Sequence, residues 1–149
     1  MLNLKKNQKG LAAIELTLVI PFLLLLIFAT AEFSRLLYQY NALTKVVRNA
    51  TRYISSHARD ASSNLIEVTA GDTNIAKKLL IYGDLNNSTA ILPNLAATTF
   101  TISVSGEFIT VTASYPWQPI FSTQLSSFVS SDSYDLSFPL VTHYTMRVL

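Results

Sequence analysis

Leu11-Ala-Ala-Ile-Glu15-Leu-Thr-Leu-Val-Ile-Pro21-Phe-Leu-Leu-Leu-Leu-Ile-Phe-Ala-Thr-Ala31 is an apolar run with one charge inside it. About twenty residues at ~1.5 Å rise reach roughly 30 Å, the thickness of a bilayer's hydrocarbon core. A carboxylate near membrane depth costs ~2–3 kcal/mol on insertion scales, so Glu15 marks a function and calls for a partner. Pro21 removes one backbone hydrogen bond, which membrane helices tolerate where neighbours re-satisfy the freed carbonyl. The run therefore reads as a transmembrane helix over residues 11–31.

Ahead of it stands Met1-Leu-Asn-Leu-Lys-Lys-Asn-Gln-Lys-Gly10, a short leader with three lysines and no acid. Lysines this close to a span are retained in the cytoplasm, so the chain from Glu32 onward is expected outside.

The apolar pattern continues past the span. Phe33, Leu36, Tyr40, Leu43, Val47, Ala50 and Ile54 recur at three- and four-residue steps, with Gln39, Asn41, Thr44, Lys45, Arg48, Asn49 and Arg52 between them. That spacing predicts an amphipathic continuation over residues 32–59, and one helix from Leu11 to about His57, ~70 Å long at 1.5 Å per residue. Its stripe has two uses: packing on the chain's own C-terminal domain, favoured from Val47 on, and contact with neighbouring subunits, favoured nearer the membrane. Glu32, Phe33, Leu36, Tyr40, Leu43 and Val47 are the candidate helix-packing or subunit-interface residues.

Residues 60–149 read as a small α+β domain. Asp60-Ala-Ser-Ser-Asn64 ends the long helix. A second helix is expected to start at Asp72 as N-cap, to bury Ile75, Leu79 and Leu80, and to stop at Gly83. From Thr99 the period becomes two. Phe100, Ile102 and Val104, the turn Ser105-Gly106-Glu107, then Ile109, Val111, Ala113 and Tyr115 predict a β-hairpin that Pro116-Trp-Gln-Pro119 should end. Residues 122–135 are serine-rich and expected irregular. Leu140, Thr142, Tyr144, Met146 and Val148 predict a third strand. A three-stranded antiparallel sheet on the distal half of the long helix would bury both apolar faces.

Composition narrows the function classes. The 149 residues carry a net charge of +2 with the basic residues dispersed, which gives little support to nucleic-acid binding. There is no cysteine, so disulfides and thiolate metal sites are excluded. His57 and His143 stand apart, with no metal-ligand spacing around them. With four glycines there is no phosphate-cradling loop, and no serine lies in a nucleophile elbow. Neither a metal nor a cofactor is called for, and an enzyme is disfavoured. Trp117, between two prolines, reads as a plug at the end of the sheet.

The basic leader, Gly10, four apolar residues and Glu15 together resemble the processing region of type IV prepilins. The segment after them narrows the likeness. Glu32-Phe33-Ser34-Arg35, Asn41-Ala42-Leu43-Thr44 and Arg48-Asn49-Ala50-Thr51-Arg52-Tyr53 are similar to TadE-like pseudopilins of the tight-adherence machinery that builds Flp pili. Phe108-Ile-Thr-Val-Thr-Ala-Ser-Tyr-Pro116 and Thr145-Met-Arg147 resemble the end of that family's chains. The resemblance implies a pilin-like α+β fold with a leader over residues 1–10, removed by a prepilin peptidase between Gly10 and Leu11. It implies that Glu15 neutralises the freed α-amino group of a neighbouring subunit. It further implies a minor pilin in Flp (type IVb) pilus assembly, serving adherence and biofilm formation. Its partners would be the prepilin peptidase, the major Flp pilin, other minor pilins, the inner-membrane assembly platform and the lipid bilayer. The expected location is the bacterial inner membrane, single-pass with a periplasmic domain, or an extracellular pilus after assembly. Leu16, where major Flp pilins usually have an aromatic residue, favours a minor subunit.

Three alternatives stay open. A type II secretion pseudopilin shares Gly10 and Glu15. An uncleaved single-pass anchor would carry an unrelated binding module. Ala29-Thr30-Ala31 has the small-x-small form of a signal peptidase site.

Overall fold

An unbroken α1 over Lys9–His57 dominates the computed structural model, which describes residues 9–59, 65–121, 123–126 and 131–149. The chain divides into two compact units, Met1–Arg35 and Leu36–Leu149. The leader before Lys9, the expected helix stop at residues 60–64, and residues 122 and 127–130 of the serine-rich stretch lie outside the described residues. The helix starts two residues earlier than the sequence reading placed it, at Lys9 rather than Leu11. Pro21 sits inside it.

The second unit is the α+β domain. Leu43, Val46, Val47, Ala50 and Ile54 line the face of α1 that enters its core, and Ala58 just past the helix joins them. The chain then turns back: Ala58 N donates to Ile54 O at 2.8 Å, and Glu67 N donates to Ala58 O at 2.8 Å. Next comes α2, Ala70–Tyr82, which differs from expectation at its start. The N-cap is Thr69, not Asp72. Its hydroxyl accepts from Asp72 N, and the Asp72 carboxylate accepts from Thr69 N, a reciprocal capping box. Asp72 is thus the third helical residue, where an acid both closes the box and meets the positive end of the helix dipole. Gly83 ends α2 in the left-handed region at φ 72°, its N–H donating to Leu79 O at 2.8 Å. Of the face expected to be buried, Leu80 is buried together with Ala76, while Ile75 and Leu79 are half-covered.

A single 3-10 turn, Leu95–Ala97, leads into β1, Thr99–Ser105, and β2, Phe108–Trp117. The pair closes on Ser105 opposite Phe108, a two-residue hairpin whose first loop residue, Gly106, has φ 57°. Positive φ there and not at Glu107 is the type II′ pattern, whose twist matches that of paired strands. The third strand of this sheet, β5, is Phe138–Arg147, and the order is β1-β2-β5, all antiparallel.

Two expectations about the β-region are corrected. Pro116 does not end β2: it lies within it, opposite Pro139. Neither proline has an N–H to give, and β1 has already ended opposite Ser114, so the pair costs the sheet no donor it needs. The serine-rich connection is also not wholly irregular. It contains β3, Gln124–Ser126, paired antiparallel with β4, Ser133–Asp135.

One face of the sheet meets the helices. Ile109, Val111, Ala113, Tyr115 and Trp117 of β2 and Leu140 of β5 are buried with the α1 residues, and Ala76, Leu80, Leu92, Leu95 and Val148 complete the core. Each fully buried aliphatic side chain contributes ~1.5–3 kcal/mol. β5 runs in the same sense as α1: Arg48 lies 5.6 Å from the Tyr144 ring, Ser55 Oγ 3.8 Å from Met146 Sδ, and Leu149 N donates to Ser55 O at 3.0 Å. Trp117 is buried with its ring 5.0 Å from that of Phe138 at the far end of the β2–β5 pair.

Gln39 departs from the polar face the sequence reading assigned it. It is buried, with Oε1 lacking a hydrogen-bond partner among the described residues. Positions 39, 43, 46, 50 and 54 share one helical face, so the core-facing stripe runs through Gln39 rather than Tyr40, which is 40% exposed.

Candidate membrane and assembly determinants

Within the first unit, an 18-residue apolar window of α1 has a mean hydropathy of 2.6, and none of it is buried inside the chain. Leu11, Ile14, Leu18 and Phe22 are 62–76% exposed. A soluble domain does not present so wide an apolar surface, whereas a helix surrounded by lipid does. The two threonines in this stretch are satisfied locally, as a membrane interior requires. Thr17 Oγ1 donates to Ile14 O at 2.8 Å and Thr30 Oγ1 to Ile27 O at 2.9 Å.

Glu15 is exposed and has no hydrogen-bond or ion-pair partner among the described residues. Leu11, Glu15, Leu18 and Phe22 follow one another at helical steps of four, three and four, so the carboxylate sits in the middle of the most exposed apolar stripe. One turn separates it from Leu11. The sequence has no Lys or Arg from Gly10 to Ser34, so a charge in that position gains most from a cation supplied by another chain.

Gly10 lies in the first turn of α1, beside Lys9. That turn contains no acidic residue, and glycine costs ~1 kcal/mol in a helix relative to alanine. A glycine there makes the first turn easier to unwind than an alanine would.

At the end of the apolar run, Arg35 Nη1 meets Glu32 Oε1 at 3.1 Å. An i,i+3 pair of this kind contributes a few tenths of a kcal/mol and leaves the helix surface locally neutral. Phe33, next to it, is 61% exposed. In the second unit, Leu36 is half-covered by the core, Tyr40 is partly exposed, and Leu43 and Val47 are fully buried in the chain's own domain. The six residues thus fall on different surfaces: Phe33 and Tyr40 are exposed, while Leu43 and Val47 are buried in the core of the second unit.

His57 stacks on Tyr53 with ring centroids 4.2 Å apart, and its Nδ1 lies 2.9 Å from Tyr53 O. His143 is an exposed mid-strand residue opposite Thr112. Among the described residues no three His, Cys, Asp or Glu side chains converge as metal ligands. Sequence reasoning missed Gln39 as a core-facing residue, although its i+4 and i+7 relation to Leu43 and Val46 was readable.

Comparison with curated proteins and with solved structures found no match. Residues 10–52, the segment from Gly10 through the span and into the helical stripe, match the family model for TadE-like proteins. Over that segment the chain is similar to TadE-like proteins, which suggests a protein associated with the Tad pilus.

Proposed function

We propose that this protein is a minor pilin of the tight-adherence system, inserted in the inner membrane as a precursor and matured by prepilin peptidase. The enzyme hydrolyses the Gly10–Leu11 bond and leaves Leu11 with a free α-ammonium. Glu15 of one subunit then pairs with that ammonium on the next. An ionised carboxylate and an ammonium in an apolar surround stabilise each other only when close, so the pair fixes the axial register of neighbouring helices. The exposed stripe of Leu11, Leu18 and Phe22 supplies the packing surface around it. The outer domain meets the major Flp pilin and other minor pilins, and the assembled pilus serves adherence and biofilm formation.

The observation that supports this reading most is Glu15, without a partner among the described residues, on the exposed apolar face one turn beyond Leu11. Its test is the intact mass and N-terminal sequence of the protein from cells that contain a prepilin peptidase. Gly10→Val and a peptidase-free strain serve as controls. A chain that begins at Leu11, and does so in neither control, is expected. A chain that begins at Met1 or Glu32 would sink the proposal. Glu15→Leu should be processed normally yet fail to support piliation, whereas an uncleaved anchor would tolerate it.

A further inference from the structure

We propose that the cleft between β1 and α2 binds an extended segment of another protein. That segment carries apolar side chains at alternate positions and a carboxylate, and adds to the sheet as a new strand beside β1. This inference stands apart from the pilus reading, and N-terminal processing and peptide binding are read by separate experiments.

The open edge comes first. β1 is the outer strand of the order β1-β2-β5. In a two-residue hairpin the residues flanking the loop, here Ser105 and Phe108, exchange both backbone bonds, and the pattern alternates from there. Ser103 and Thr101 therefore face β2 with their amides, while Phe100, Ile102 and Val104 turn theirs outward. No group among the described residues meets these outward amides and carbonyls. Such a row is a template for strand addition.

The same three residues direct their side chains to the helical side of the sheet, where coverage is incomplete. Phe100 and Ile102 are half-covered and Val104 is 46% exposed. Two cavities of about 320 and 340 Å³ open along this strip. Leu80, Ile81 and Leu95 wall the first, and Val68 and Thr73 wall the second. Same-face side chains of an added strand recur every ~7 Å, so alternate residues can reach adjoining cavities.

Charge decides the chemistry of the occupant. Lys77 lines both cavities, with its ammonium 5.3 Å from the Phe100 ring centroid. Among the described residues it has no ion-pair partner. The nearest acid along α2, Asp72, is held by Thr69 N and Thr69 Oγ1 at 3.2 and 2.6 Å. A cation over an apolar, partly enclosed floor complements a carboxylate on the incoming strand.

The test uses the full chain in detergent micelles and a fluorescein-labelled heptapeptide, Thr-Val-Thr-Val-Thr-Val-Asp, with its uncharged Asn-amide counterpart. Anisotropy should show saturable binding of the acidic peptide, and hydrogen exchange should show protection of the Phe100, Ile102 and Val104 amides. Lys77→Glu, with Lys77→Gln as the milder form, should weaken binding by about tenfold or more, and so should the uncharged peptide on the unaltered protein. Val104→Pro removes an outward N–H that the β1–β2 ladder does not use, so it should abolish binding while Trp117 fluorescence reports an intact domain. Absence of binding, equal affinity for both peptides, or binding unchanged in Val104→Pro would overturn the proposal. So would concentration-dependent self-association that Val104→Pro removes, since the edge would then pair copies of this chain.

Discussion

Replacing Gly83 by alanine should destabilise the C-terminal domain by about 2 kcal/mol, through two separable causes. Gly83 caps α2 at φ 72°, where an L-residue's Cβ crowds the following carbonyl at a cost of ~1 kcal/mol or somewhat more. A Cβ there would also overlap the Cδ1 methyl of Ile91. The Ile91 backbone is held by its N–H to Ile81 O at 3.1 Å, so relief must come from the side chain, which is 38% exposed and has room to leave its rotamer. That adjustment costs ~0.5–1.5 kcal/mol. Thermal unfolding followed by the fluorescence of Trp117, the single tryptophan, isolates the domain from the apolar N-terminal part of α1. At ~2.1 cal/mol/K per residue of unfolding entropy, the midpoint should fall by roughly 8 °C. The cause is separated with Ile91→Val, which deletes Cδ1. In that background Gly83→Ala should cost less by about 1 kcal/mol, an interaction energy of about −1 kcal/mol in the double-mutant cycle. A total below ~0.5 kcal/mol would refute the left-handed cap, and zero coupling would refute the contact with Ile91.

Thr69→Ala deletes the hydroxyl that accepts from Asp72 N at 3.2 Å, and should cost about 1 kcal/mol in denaturant unfolding, with a smaller loss for Thr69→Ser. Ile54→Ala, at a fully buried position of α1, should cost about 3 kcal/mol by the same assay, whereas Phe33→Ala, at an exposed one, should leave domain stability within ~0.5 kcal/mol. Asp135 accepts from Ser137 N at 2.8 Å and Ser137 Oγ at 2.7 Å, and these bonds hold its carboxyl below the usual carboxylate range. Because the folded value is depressed, the turn into β5 is supported at neutral pH and loses that support as pH falls through the depressed value. The Ser137 amide resonance should report that loss below the usual carboxylate range; a midpoint at an unperturbed value would contradict the hydrogen bonds.

Legibility followed the range of the interactions involved. The long apolar helix, the hairpin at Gly106, the C-cap at Gly83 and the buried alternation of β2 and β5 were readable because period, turn chemistry and glycine freedom act over a few neighbouring residues. The N-terminus of α2 was misplaced by three residues, since Thr69 and Asp72 are both good caps and only the reciprocal bonding distinguishes them. Gln39 was misassigned because polarity was read where helical phase decided. Pro116 was read as a strand end, yet its missing donor faces no strand once β1 has stopped at Thr99.

By itself the sequence determined that one long apolar helix carries a lone carboxylate a turn beyond a glycine-flanked bond, and that an α+β domain follows. Those features are written in hydropathy, spacing and charge, each a property of contiguous residues. Only the tertiary structure decided that Leu43, Val47 and Ile54 belong to the chain's own core while Phe33 and Tyr40 stay exposed. It alone placed Lys77 against β1, leaving an open edge beside a cation. Contacts between residues tens of positions apart depend on which faces meet when the sheet closes on the helix, and no local pattern encodes that pairing.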